Sequence, residues 1–222
     1  MSQERESASV PHMTRRKGVP TAPRSWKQRL FQLSVFGFRA VAGLFFDRQR
    51  LVGIYFDDST TGWKWVLRGL LFQKLLGFNR NIPWPVSPLN TISVPYNIEF
   101  DPDDINMFNE MSGKYFQNFA APIRIGKGTW IASNVGIITA NHDPDDLKRH
   151  LPGREVVIGE GCWIGMNAVI LPGVHLGPRT IVGAGAIVTR SFPEGHCVIV
   201  GNPARVVRYL PRAQADGGVA PK

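Results

Sequence analysis

Aliphatic residues recur at every sixth position along two stretches of the chain: Ile125, Ile131 and Ile137, then Ile158, Ile164, Ile170, Leu176, Val182 and Val188. The residue that follows is often Gly or Ala, as at Gly126, Ala132, Gly159, Gly165, Gly177 and Gly183. The fifth place of the hexad is small or short: Thr129, Val135, Cys162, Ala168, Val174, Thr180 and Ala186. Neither the two-residue period of a strand nor the 3.6-residue period of a helix produces a six. A short strand, a tight turn and another short strand around a triangular prism does, with three hexads to a coil. The pattern predicts a prism interior filled by the aliphatic residue, with the small fifth residue beside it and the Gly or Ala letting the chain turn. Ile92 and Ile98, also six apart, add an imperfect first coil.

The phase breaks after Ile137 and resumes at Ile158, with residues 143–157 forming a 15-residue insertion. Long polar excursions from a rigid scaffold are frequent carriers of function. Upstream, Leu30–Phe46 is an apolar stretch interrupted by Gln32, Ser34 and Arg39, and Trp63–Phe78 is a second one carrying Lys64, Arg68 and Lys74. Both read as helices. A spanning helix needs ~20 apolar residues, and an internal Arg makes insertion costlier, so these helices are expected to lie on a surface. Two surfaces remain open: the repeat domain or a neighbouring subunit, and an anionic membrane. Residues 1–25 have no apolar periodicity and read as a basic arm centred on Arg15-Arg16-Lys17. The chain thus divides into an N-terminal region (1–80), a repeat domain (81–208) and a tail (209–222) expected to be disordered.

Charge sharpens that division. Residues 1–80 hold 14 of the 26 Lys/Arg and five of the 17 Asp/Glu, so they carry the whole net charge of +9 and the remainder is neutral. A nucleic-acid partner is not expected from a repeat domain without excess charge, whereas basic residues beside Trp, Phe and Leu suit an anionic membrane surface. The two cysteines, Cys162 and Cys197, form no C-x-x-C pair, which argues against a disulfide framework or a zinc site. Cys162 sits at an inward place and reads as structural. A cytoplasmic setting, peripheral on the inner face of the cell membrane, is expected; the apolar run starts too late for a signal peptide.

Within residues 113–208, Val157-Ile158-Gly159 leads into Cys162-Trp163-Ile164-Gly165, Leu171-Pro172-Gly173-Val174, Val182-Gly183-Ala184-Gly185, Val188-Thr189-Arg190 and Gly201-Asn202-Pro203-Ala204. This succession resembles the hexapeptide-repeat acyltransferases, and among them the maltose, galactoside and capsule-sugar O-acetyltransferase branch. The resemblance implies a mainly β protein built as a left-handed parallel β-helix, here preceded by a basic, partly helical N-terminal region. It also implies a homotrimer with active sites between subunits, acetyl-CoA as donor, a sugar or glycan hydroxyl as acceptor and no metal.

Asn141-His142-Asp143 stands where the repeat gives way to the insertion. The resemblance makes His142 the general base that deprotonates the acceptor hydroxyl. Histidine suits the task because its unperturbed pKa of ~6.5 leaves a neutral imidazole at cytosolic pH. Asp143 is a candidate for orienting that base or meeting sugar hydroxyls. The resemblance places Asn118 in the acceptor pocket and Trp163 beside the thioester. It sets Gly165, Met166 and Ala184 along the pantetheine arm, Thr189 at the adenine end, and Arg190, Arg205 and Arg208 at the phosphates. Arginine's planar fork suits phosphate. Rival readings are an N-acetyltransferase of an amino sugar or amino acid, a non-catalytic assembly module, and a zinc-dependent anhydrase on the same fold, for which only His142 and His150 are suitably placed.

Overall fold

The computed structural model describes residues 26–212, with side chains from residue 34 onward. The basic arm (1–25), His12 within it and the last ten residues lie outside the described residues. From residue 91 the chain winds as a parallel β-helix with three faces. The first face holds β1 (Thr91–Ile92), β3 (Tyr115–Gln117), β6 (Gly136–Ile138), β11 (Val169–Ile170) and β14 (Ile187–Val188). The second holds β2 (Ile98–Glu99), β4 (Ile123–Ile125), β9 (Val156–Ile158) and β12 (His175–Leu176). The third holds β5 (Trp130–Ile131), β10 (Trp163–Ile164), β13 (Ile181–Val182), β15 (Cys197–Val200) and β16 (Arg205–Tyr209). A hairpin of β7 (His142–Asp143) and β8 (Asp146–His150) stands apart. The fold is the left-handed parallel β-helix of hexapeptide repeats that the sequence leads one to expect.

Register explains the period. Ile164 pairs with Val182 and Ile170 with Val188, each 18 residues on, so every hexad supplies one side of the prism. Ile137 pairs with Ile170, 33 residues on, because the insertion lies within that coil. All nine aliphatic hexad residues are buried, as are all seven small fifth-place residues. Thr129 also knits two coils together, its Oγ1 donating to Gly159 O (2.8 Å), while Thr180 Oγ1 closes the turn of its own coil by donating to Gly177 O (2.7 Å). Ile92 and Ile98 are buried in β1 and β2, which pair with β3 and β4 as the first coil.

One expectation about turning is corrected. The glycines that follow the aliphatic residue do not make the corners; they lie against the neighbouring coil. A Cβ would stand 2.5 Å from Glu160 N at Gly126, 2.7 Å from Gly177 C at Gly159 and 2.7 Å from Ala184 N at Gly165. The corners are made two residues later, where Gly128, Asn134, Gly161, Asn167, Gly173, Arg179 and Gly185 all have positive φ. That left-handed conformation favours glycine and tolerates asparagine.

The β-helix is closed at both ends. β16 runs antiparallel on β15, with Tyr209 opposite Cys197, so the tail begins beyond residue 209. At the other end Trp84, Phe100, Phe108 and Phe116 pack ring against ring, and Arg50 lies 4.5 Å over Phe100. Both predicted helices are present: α1 (Trp26–Ala42), then, after a one-turn α2 (Ile54–Asp57), α3 (Thr61–Gly69), which continues as a π-helical turn over Leu70–Leu75. Arg39 fastens α1, donating to Leu51 O (2.9 Å) and Asp57 (2.5 Å). Phe46, Leu51, Phe56 and Val66 are buried in the same apolar core as the prism interior. The helices therefore pack on the end of the repeat domain with one face.

Cys162 is 1% exposed, its thiol donates to Gly177 O (3.3 Å), and burial pushes its pKa up to about 11. Burial also raises the Cys197 thiol. A thiolate is the reactive form, so both are expected to resist a thiol reagent at neutral pH in the folded protein and to react together on denaturation. Stoichiometric labelling of the native protein would contradict this burial.

Candidate functional site

His142 begins the hairpin that leaves the corner between the first and second faces. Its position is braced from below by Gln117, whose Oε1 accepts from Thr139 N (3.0 Å) and Ala140 N (3.1 Å) and whose Nε2 donates to Ala140 O (3.0 Å). The hairpin closes through Leu151 N to Asn141 O (2.9 Å). Inside it, His142 Nδ1 lies 2.8 Å from Leu147 O. A carbonyl can only accept, so Nδ1 carries the proton of the neutral ring and the lone pair is on Nε2. The His142 residue is exposed.

His150 pairs with His142 across the hairpin, their ring centroids 4.2 Å apart, and Phe119 meets His150 edge-on at 5.0 Å. From sequence alone His150 stands in the insertion either as an acceptor contact or as a solvated loop residue. The turn that brings the two imidazoles together has a legible signal in Asp143-Pro144-Asp145-Asp146. Gln117 and Phe119 were missed as supports. Asp143 accepts from Asp145 N (3.0 Å) and pairs with Arg149 (3.5 Å), so its carboxylate shapes the turn beside His142.

Asn118 is fully buried. Its Oδ1 accepts from Val94 N (2.9 Å) and its Nδ2 donates to Val94 O (2.6 Å), so both ends of the amide are engaged by one residue of the first coil. Thr189 and Arg190 are exposed just past β14, on the same corner as His142 but two coils further along. Gly165, Met166 and Ala184 lie on a different corner, between the third and first faces, where Gly185 N donates to Met166 O (2.8 Å). Met166 and Ala184 are exposed, while Gly165 is buried by the coil contact described above. Trp163 is exposed on the third face, in register with an equally exposed Trp130. Arg205 and Arg208 are exposed on β16. Near the last coil a pocket of about 310 Å³ is lined by Arg190, Phe192 and Tyr209 among others. One chain thus presents His142 on one corner and Met166 and Ala184 on another, the two separated by one prism side, roughly 15–20 Å for a six-residue side.

Among the described residues no group of three His, Cys, Asp or Glu is placed to hold a metal ion.

The family described as bacterial transferase hexapeptide (six repeats) matches residues 155–190. Nodulation protein L of Rhizobium meliloti is 40% identical over 131 residues, 54% of this chain and 68% of that protein. The chain belongs to the hexapeptide-repeat acyltransferase family. The galactoside O-acetyltransferase of Lactococcus lactis is another relative, 37% identical over 91 residues that make up 40% of this chain and 44% of the relative. A Saccharomyces cerevisiae relative is 45% identical over 94 residues, 40% of this chain. The chain spans about half the length of the first curated relatives it matches, 47% and 55%. Family membership accounts for the repeat and the corner glycines, which every coil needs whatever it binds.

Proposed function

We propose that the protein transfers an acetyl group from acetyl-CoA to a hydroxyl of a sugar or glycan, with His142 as general base. The observation that carries this reading is the His142 Nδ1 contact with Leu147 O, which leaves Nε2 as the proton acceptor at the exposed edge of the insertion. Nε2 takes the hydroxyl proton as the acceptor oxygen attacks the thioester carbon. The carbon–sulfur bond then breaks, and the imidazolium returns the proton to the CoA sulfur. The sugar class of acceptor is supported by the galactoside O-acetyltransferase relative. Exposed Trp163 offers a pyranose an apolar platform, and exposed Arg190, Arg205 and Arg208 offer the donor phosphates cations. Asn118 contributes by holding the first coil, and Asp143 by shaping the turn.

Because Met166 and Ala184 lie on another corner than His142, a complete site is assembled from two chains, corner to corner, in a cyclic homotrimer. Incubation with acetyl-CoA and a panel of nucleotide sugars and oligosaccharides, read by mass spectrometry, tests the reaction. One acceptor is expected to gain an acetyl ester that mild alkali removes. An alkali-stable product would mean an amide and an amine acceptor, and failure to bind CoA at all would leave only an assembly role. Light scattering should find three chains; a fully active monomer would overturn the shared site.

A further inference from the structure

The helices that close the β-helix bury one face and leave the other bare. On α1 and in the turn that follows it, Phe38, Val41 and Phe45 are 46–60% exposed. On α3 and its π-helical continuation, Leu67, Leu71 and Leu75 form a second stripe, 47–70% exposed. Between the stripes runs a groove of about 480 Å³ with almost wholly apolar walls, Trp63 on its floor side and Lys64 at its edge. Contiguous exposed apolar surface of this kind marks a docking face. No helix among the described residues is long and apolar enough to cross a membrane.

We propose that this α1–α3 face lies on a bilayer containing anionic phospholipid, with the two stripes in the acyl boundary. Charge decides between a bilayer and a second copy of the chain. Residues 1–80 carry the entire net charge of +9, and the exposed Lys64 lines the groove. Two copies meeting through this face would bring like charges together, whereas an anionic headgroup layer presents the opposite sign to the same basic region. Apolar stripes flanked by basic residues on helices too short to span are the composition of an interfacial helix. The surface is independent of the acetyl-transfer reading, since none of its residues belongs to the proposed site.

The test is co-sedimentation of the full-length chain with phosphatidylglycerol-containing vesicles and with vesicles of phosphatidylcholine alone. Binding is expected on the former only, and added salt should weaken it. Replacing the stripe by Leu67→Gln, Leu71→Gln and Leu75→Gln is expected to lower binding about tenfold or more without changing the number of chains per particle. As a measurement that needs no disruptive variant, brominated acyl chains should quench tryptophan fluorescence, and Trp63→Phe should remove most of the quench. Vesicle binding that is abolished by salt yet indifferent to the stripe and unquenched would overturn the docking face in favour of the basic arm alone. Loss of the oligomer in the glutamine variant, with no vesicle binding by the wild type, would overturn it in favour of a subunit interface.

Discussion

Replacing His142 by Ala should lower kcat by about 10²–10⁴-fold, or roughly 3–5 kcal/mol of barrier, the usual contribution of a positioned general base. Acetyl-CoA affinity should change little, because the arginines proposed for the phosphates lie past β14 and on β16. A subtler readout follows from the hairpin. Since Leu147 contributes its main-chain carbonyl, His142→Asn can keep the contact to Leu147 O, its amide Nδ2 standing where the imidazole Nδ1 stands, yet cannot accept a proton, so it should be as inactive as the alanine variant. If His142→Ala stays folded, binds acetyl-CoA and turns over the true acceptor within about threefold of wild type, His142 is not the base, since general-base loss costs far more.

The second large effect is on stability. Asn118→Ala would take the partner from Val94 N and Val94 O, both part-buried, at a cost of about 1–3 kcal/mol for the two groups together. Thermal or urea unfolding should show the loss, while KM for the acceptor in the folded protein stays near that of the wild type. A raised acceptor KM with unchanged stability would instead make Asn118 a direct acceptor contact, which its family correspondence implies and its hydrogen bonds do not favour.

These two residues also show what could be read from sequence and what could not. The prism interior was legible to the residue, because a core repeated at every sixth position leaves a signal that no single contact can blur. His142 was legible through its place at the phase break. The partner of Asn118 was not: it is the main chain of Val94, 24 residues away, and a main-chain partner leaves no mark in the side-chain pattern. The His142–His150 pairing was hidden for another reason. β8 is exposed on both faces, so the period-two alternation that announces a strand is missing, and only the Asp-Pro-Asp-Asp turn remained as a clue. The helices were legible as amphipathic segments, but their docking depends on Leu51 and Phe56 reaching the core of the β-helix, a long-range contact without periodicity. The corner residues form a second six-residue series, six of them Gly or Asn with Arg179 as the exception, and from sequence they compete with the five glycines beside the aliphatic positions for the same role.

The return of β9 into register has a wider consequence. Val156, Val157 and Ile158 meet Ile123, Arg124 and Ile125 one for one, as if the chain between them had never left the prism. The hairpin is therefore attached at two points of a wall already held by its neighbours, and its length is not a parameter of the scaffold. Closing a longer loop costs little, since the entropy grows only with the logarithm of its length. On the proposed function, in which the hairpin faces the acceptor and the coils hold the donor, the hairpin can be exchanged as a cassette, and a change of acceptor need not be accompanied by any repair of the interior.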